Sequence, residues 1–399
     1  QPVFLGTTPT LHSSRMFLEV LVALLAIAGS LYFYLTRNFN YWKKKGIIYL
    51  EPKFPFGTLQ DQFLGKIDAG SAGQKIYNEY RKERGLKYVG GFMFQQPSLI
   101  VFDLDICKQI LTKDFHHFAA RDLAPTTHEY ISKHLFSLEG HEWKDMRTKL
   151  TPTFTSGKMK NMFQLMGRCA DQLQDHIDNV VLQKGEFEVK DLIARFTTDI
   201  IATCAFGLEV NSIENRDDEF YKVGQLIFVP KRSNIPKIFL FKNFPLTTKL
   251  FNITLFHPKV SETLSSIIKE TIRYRKENNV TRNDFVDLLL KVKENQSLEE
   301  DEEKHAVEQK GACKIANFLK KEKQDHVKDQ LTLEEMTAQA FVFFAAGFET
   351  AASTTSFCLY ELAKSPSVQE RLRQEIDDVL ANYDNKITYQ ALQDMTYMD

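Results

Sequence analysis

Glu349 and Thr350 stand where packing alone does not explain them. They lie in AAGFETAAS (345–353), directly after the apolar run QAFVFF (339–344). A glycine inside a helix costs about 1 kcal/mol relative to alanine, and a buried carboxylate is expensive unless paired. A glycine, an acid and a hydroxyl on one apolar helix suit a site that needs room and a path for protons. A second pair, Trp143 and Arg147, occurs in GHEWKDMR (140–147). Four positions apart, they share a helix face. Such a pair presents an indole N–H and a guanidinium to one anionic group; a surface cation–π pair is the plainer alternative. Upstream, FHHFAARDL (115–123) places Arg121 in a loop.

The elements that must position these residues are legible. Thr332-Leu333-Glu334-Glu335 is a capping box, and Lys364-Ser365-Pro366 ends a helix because the residue before proline disfavours it. The helix between, 333–363, is predicted to run about 45 Å, with AAGFET near its middle. Further helical spacing occupies 74–84, 105–113, 140–150, 158–183, 191–206, 218–228, 258–278, 283–293 and 367–381. Residues 86–103 alternate like a strand pair, with Gln96-Pro97 expected at the turn. The fold class is mainly α with a small N-terminal sheet. Residues 294–330 are dense in charge and expected as a solvated loop, with a regulatory docking segment as the other reading. Residues 226–257 hold six Phe, with prolines at 230, 236 and 245; they could dip into lipid, roof a pocket, or pack as a connector.

The chain has 399 residues, 43% hydrophobic and 26% charged, with a net charge of -1. No nucleic-acid footprint is expected from that balance. Cysteines at 107, 169, 204, 313 and 358 form no C-x-x-C pair, which argues for a reducing compartment and against a zinc site or a disulfide framework. Residues 16–35, MFLEVLVALLAIAGSLYFYL, are long and apolar enough to span a bilayer. Arg37, Lys43, Lys44 and Lys45 flank their C-terminal end, so the bulk of the chain is expected on the cytosolic side. Tyr32, Phe33, Tyr34 and Trp42 are expected at the lipid interface. Residues 1–15, ahead of Met16, are expected to be a non-native or upstream leader. Residues 36–57 form a basic, proline-bearing hinge, and 58–399 the remaining domain.

In this order, the anchor, the hinge, Trp143-x-x-x-Arg147 and Ala346-Gly-x-Glu-Thr350 resemble a cytochrome P450, a haem-thiolate monooxygenase. The text of TPTFTSGKM, TCAFG, DFVDLLL and AQAFVFFAAGFET is similar to the microsomal, xenobiotic-metabolising branch, in particular its insect members. The resemblance runs from about 16 to 399. It implies the P450 fold, haem as cofactor, and electrons from NADPH through a reductase, with a cytochrome b-type donor as a second candidate. It also implies an endoplasmic reticulum membrane location, a lipid bilayer partner and a small lipophilic substrate. Trp143 and Arg147 would bind a haem propionate, and so would Arg121. Ala346 and Gly347 would leave room beside the iron, and Glu349 and Thr350 would serve proton delivery. Phe341, Phe344 and Ala345 are substrate-pocket or packing positions, and Phe348 a packing one. Lys144, Lys149, Lys158 and Lys160 could form a basic face for the reductase, or simply be solvated.

No cysteine stands in the family's Phe-x-x-Gly-x-x-x-Cys-x-Gly loop, and the family's Glu-x-x-Arg helix, expected to follow ITYQALQDMTYMD (387–399), is also missing. The P450 domain is therefore expected to be incomplete, with no metal ligand in the chain, and the chain as given to be inactive. The alternative is a truncated, non-catalytic, membrane-anchored helical protein that binds apolar ligands or a partner.

Overall fold

The computed structural model describes residues 9–121, 129–183, 185–228, 234–282, 284–293 and 331–398. The charged segment 294–330 lies outside the described residues, as does most of the leader. Contacts divide the chain into two units, Gln1–Ala119 with Ile235–Pro245, and Ala120–Asn234 with Leu246–Asp399.

In the first unit, α1 covers Pro9–Thr36. Its Met16–Thr36 stretch, with a mean hydropathy of 2.2, is long and apolar enough to cross a membrane; most of it is exposed, and Leu35 near its end is buried. The sheet is an antiparallel pair, β1 (Tyr88–Met93) and β2 (Gln96–Val101). Gln96 and Pro97 lie inside β2, opposite Met93 and Phe92, and the turn falls on Phe94-Gln95. Phe94 takes a positive φ of 55° there and is buried among Phe56, Phe63 and Phe239. The turn expected at Gln96-Pro97 is thus displaced by two residues, because burying the Phe94 ring outweighs the local turn preference of proline. Trp42 is likewise not at a lipid interface: it is buried, and its indole N–H donates to the Gly91 carbonyl at 2.8 Å. A Cβ on Gly90 would stand 2.6 Å from the Trp42 ring, so the sheet admits the indole only because Gly90 has none.

The second unit is helical. Its main elements are α2 (Gly140–Leu150), α3 (Ser156–Leu182), α4 (Val189–Ile201), α5 (Glu219–Phe228), α6 (Pro258–Asn278), α7 (Phe285–Lys293), α8 (Leu333–Lys364) and α9 (Pro366–Leu380). The capping box forms as its sequence demands: Thr332 N donates to Glu335 Oε2 at 2.8 Å and Glu335 N to Thr332 Oγ1 at 3.1 Å. Pro366 occupies the first turn of α9, where its missing N–H costs nothing. One apolar cluster gathers Phe206, Phe220, Val260, Leu264, Ile268, Phe341, Phe344 and Phe348 around α8. A second joins Met146 and Leu150 of α2 to Met336 of α8, with Phe343 packed against it.

The Phe-rich segment splits in role. Phe228 stacks on Phe348 at 5.7 Å and Phe256 meets Phe341 at 4.7 Å, so its two ends are core connectors of the second unit. Between them, Leu246, Leu250 and Phe251 stay exposed.

Candidate functional site

α8 carries the site, and its faces are sorted by what they touch. Phe341, Phe344 and Phe348 are each at most 3% exposed. Phe344 meets Phe220 at 4.6 Å and Phe348 at 5.9 Å. Phe341 and Phe344 are therefore core residues, and the pocket role expected as an option for them gives way to packing. Ala345 is half-buried at the edge of the same cluster. Ala346 and Thr350, four positions apart on one face, are exposed.

Gly347 does not open toward that face. A Cβ there would stand 2.9 Å from Ile201 Cδ1 and 3.0 Å from Cγ1. The room that Gly347 makes is filled by a side chain of α4, so its absent side chain serves a close helix crossing, and the space expected beside Ala346 is not of its making. Glu349 is half-buried and fixed from two sides. Lys190 Nζ lies 2.7 Å from its Oε1, and Ser353 Oγ donates to the same oxygen at 3.0 Å. Oε2 has no partner among the described residues. The Thr350 hydroxyl donates to the Ala346 carbonyl one turn back.

α2 presents the second pair. Met146 and Leu150 are buried, which turns Arg147 out to solvent and leaves Trp143 half-buried. The Arg147 guanidinium has no partner among the described residues. Arg121 is engaged elsewhere: its Nη1 donates to the Phe136 carbonyl at 3.4 Å, and the guanidinium lies 4.9 Å from the Phe136 ring centre. Lys149 is paired with Asp145 at 2.9 Å.

Two anchors of this site were not found by sequence pattern. Gln339 is fully buried on α8, accepts from Leu135 N at 2.9 Å and donates to the Lys133 carbonyl at 3.3 Å. It ties the loop before α2 to the helix that carries Thr350. A lone Gln within AQAFVFF was the visible signal, because a buried amide must find partners. Lys190 gave no signal, since its partner lies 159 positions away.

His134, on the same loop, packs on Phe341 at 5.5 Å. Burial pushes its pKa down to about 4. The folded value lies below the unfolded value of about 6.5. Its contribution is thus complete above pH 6.5 and is lost as pH falls through 4, a swing of about 3 kcal/mol. The unfolding midpoint should drop between pH 7 and pH 4.5, and drop less in His134→Phe. Parallel pH curves for the two proteins would remove His134 from acid sensitivity.

The described cysteines offer no obvious metal centre. Burial raises the Cys204 thiol to about 12 and pushes the Cys169 thiol up as well. Cys358 is exposed on α8, two turns past Thr350. Cys313 lies outside the described residues, and no cluster of three or more His, Cys, Asp or Glu fit for a metal occurs among the described ones.

The family profile of cytochrome P450 matches residues 63–399. The chain is similar to "Probable cytochrome P450 6a14" of Drosophila melanogaster, 38% identical over 380 residues, which cover 94% of this chain and 70% of that protein. It is 36% identical over 386 residues to "Cytochrome P450 6a2" of the same fly, covering 95% and 71%. "Cytochrome P450 6j1" of Blattella germanica is 34% identical over 394 residues, covering 96% and 70%.

Proposed function

The chain belongs to the cytochrome P450 family, the haem-thiolate monooxygenases, and on that premise we propose how its residues serve the reaction. The substrate is a small lipophilic compound, a xenobiotic, insecticide or hormone-like molecule, and electrons come from NADPH through a reductase. Residues 16–35 hold the protein in the endoplasmic reticulum membrane, 36–57 form the hinge, and the rest lies on the cytosolic side. The exposed Leu246, Leu250 and Phe251 suit contact with lipid.

The observation that carries the reading is the pairing of open faces on two helices joined by one apolar cluster. One face offers an unpartnered guanidinium, Arg147, beside Trp143. The other offers Ala346 and Thr350, exposed along one line of α8. This donor set fits haem: Trp143 and Arg147 would hold a propionate through charge-assisted hydrogen bonds, and Ala346 is small enough to lie against a flat ring. Haem supplies the iron chemistry that splits dioxygen, with a thiolate ligand favouring O–O cleavage. That thiolate is neither Cys169 nor Cys204. Burial holds both of these as thiols.

The protein's own groups handle the protons. Glu349 Oε1 is anchored by two donors, which leaves Oε2 to take a proton from water and pass it on. The Thr350 hydroxyl proton rests on the Ala346 carbonyl, which leaves Oγ1 able to accept a hydrogen bond, and releasing that carbonyl lets it donate. General acid–base positioning of this kind contributes about 10²–10⁴-fold. The test is Thr350→Ala in haem-loaded protein whose P450 domain carries the family's cysteine loop. NADPH should still be consumed, while product formed per NADPH falls at least severalfold. Unchanged coupling would reject the role of Thr350.

A further inference from the structure

Three consecutive residues of α8, Gly347 to Glu349, are gripped by three side chains of α4. Ile201 fills the notch at Gly347, with its Cδ1 2.9 Å from where a Cβ would be. The Thr197 hydroxyl lies 3.2 Å from the Phe348 carbonyl. Lys190 Nζ lies 2.7 Å from Glu349 Oε1. All three contacts come from one element, at positions i, i+7 and i+11, which helical geometry places along one face.

We propose that α4 sets the rotation of α8 about its own axis, and that Thr197 and Ile201 are positioning residues for Thr350. The inference rests on the reading of Thr350 given above. The reasoning is geometric. Successive helix residues are about 100° apart, so gripping 347, 348 and 349 fixes where 346 and 350 point. A roll of α8 would lift Ile201 out of its notch, and a one-residue slip would set a Cβ against it. Tight interiors resist such shifts because they are close-packed. Thr197 is buried, and its single proton faces two carbonyls, that of Ala194 at 3.1 Å and that of Phe348 at 3.2 Å. The first lies within its own helix, so only the second couples the two helices. The frame behind them is itself braced. Asp191 pairs with Arg195 at 3.2 Å and Arg216 at 3.3 Å and accepts from the Tyr221 hydroxyl at 2.8 Å, so Lys190 projects from a fixed turn.

Two measurements test this. The first is thermal melting of Gly347→Ala, Ile201→Val and the double variant. Gly347→Ala should melt a few degrees lower, as overpacked cores do. Ile201→Val removes the Cδ1 that the new methyl meets at 2.9 Å, keeps a methyl at the Cγ1 place 3.0 Å away, and should restore part of that loss. Strictly additive melting shifts would overturn the notch. The second compares Thr197→Val and Thr197→Ser in the haem-loaded protein. Thr197→Val keeps the shape but cannot donate, and should lower product per NADPH about fivefold, the equivalent of one net hydrogen bond. Thr197→Ser should restore it. Wild-type coupling in Thr197→Val, or no recovery in Thr197→Ser, would overturn the positioning role. Thr350→Ala run alongside separates the two levels. If it couples normally the proton reading fails, while the melting cycle still decides the grip.

Discussion

Arg275→Met should be among the most damaging single changes in the second unit, lowering the melting temperature by on the order of 10 °C. Arg275 is 4% exposed at the last turns of α6. Its Nη1 donates to Asp284 Oδ1 at 2.7 Å and also to Asp287, and its Nη2 reaches Asp284 and the Phe206 carbonyl. The carboxylates are 1% and 5% exposed. Removing the cation would leave two buried negative charges, and breaking such a pair costs about 3–5 kcal/mol. Burial already pushes the Asp284 carboxyl up, against the pull of Arg275. Without Arg275 it should rise further and take a proton. A carboxyl with a raised folded pKa favours the folded state at low pH and penalises it as pH rises through that pKa. The loss in Arg275→Met should therefore be smaller at pH 5 than at pH 7. Melting within 2 °C of wild type at pH 7, the threshold being roughly what a surface change gives, would sink this account. Gly207 closes the same site with a φ of 66°, and a Cβ there would strike both Arg275 and Asp284.

That network shows where sequence pattern stops. The apolar stripe of α6 runs Val260, Leu264, Ile268, and Arg275 continues it. A charge on a buried stripe reads as solvated until its partners are known, and those partners sit beyond a turn, in RNDFVDLLL (282–290). The long helix, by contrast, was readable to within a residue at each end, because its cap and its stop are local chemistry. The same division holds at the site. Thr350 and Arg147 could be picked out as groups without an apolar reason. Whether Gly347 opens onto a cofactor or onto Ile201 depends on a helix 146 positions away, and no periodicity encodes it. Phe94 failed for a related reason: Pro97 signals a turn, but the cluster that buries the Phe94 ring reaches as far as Phe239.

Phe344→Ala carries the second large expectation, and it tells core from pocket. The ring is fully buried, with neighbours Phe220 at 4.6 Å, Phe348 at 5.9 Å and Phe206 at 6.3 Å. Truncating a buried Phe costs about 3–5 kcal/mol through lost transfer energy and the cavity left behind. Aromatic edge contacts add about 0.5–1.5 kcal/mol per pair, so the site should stand near the upper end of that range. A residue lining a substrate pocket behaves differently, since its truncation enlarges the pocket and changes which compounds turn over. Phe344→Leu keeps most of the volume and should cost roughly 1 kcal/mol, a swap that cores tolerate. The decisive measurements are melting temperature and product distribution for both variants. The expected outcome is a steep melting loss in Phe344→Ala, a slight one in Phe344→Leu, and one product pattern throughout. A changed pattern in Phe344→Leu with unaltered melting would return Phe344 to the substrate pocket. It would also mean that the cluster around α8 opens during turnover, because the folded arrangement gives a substrate no access to that ring.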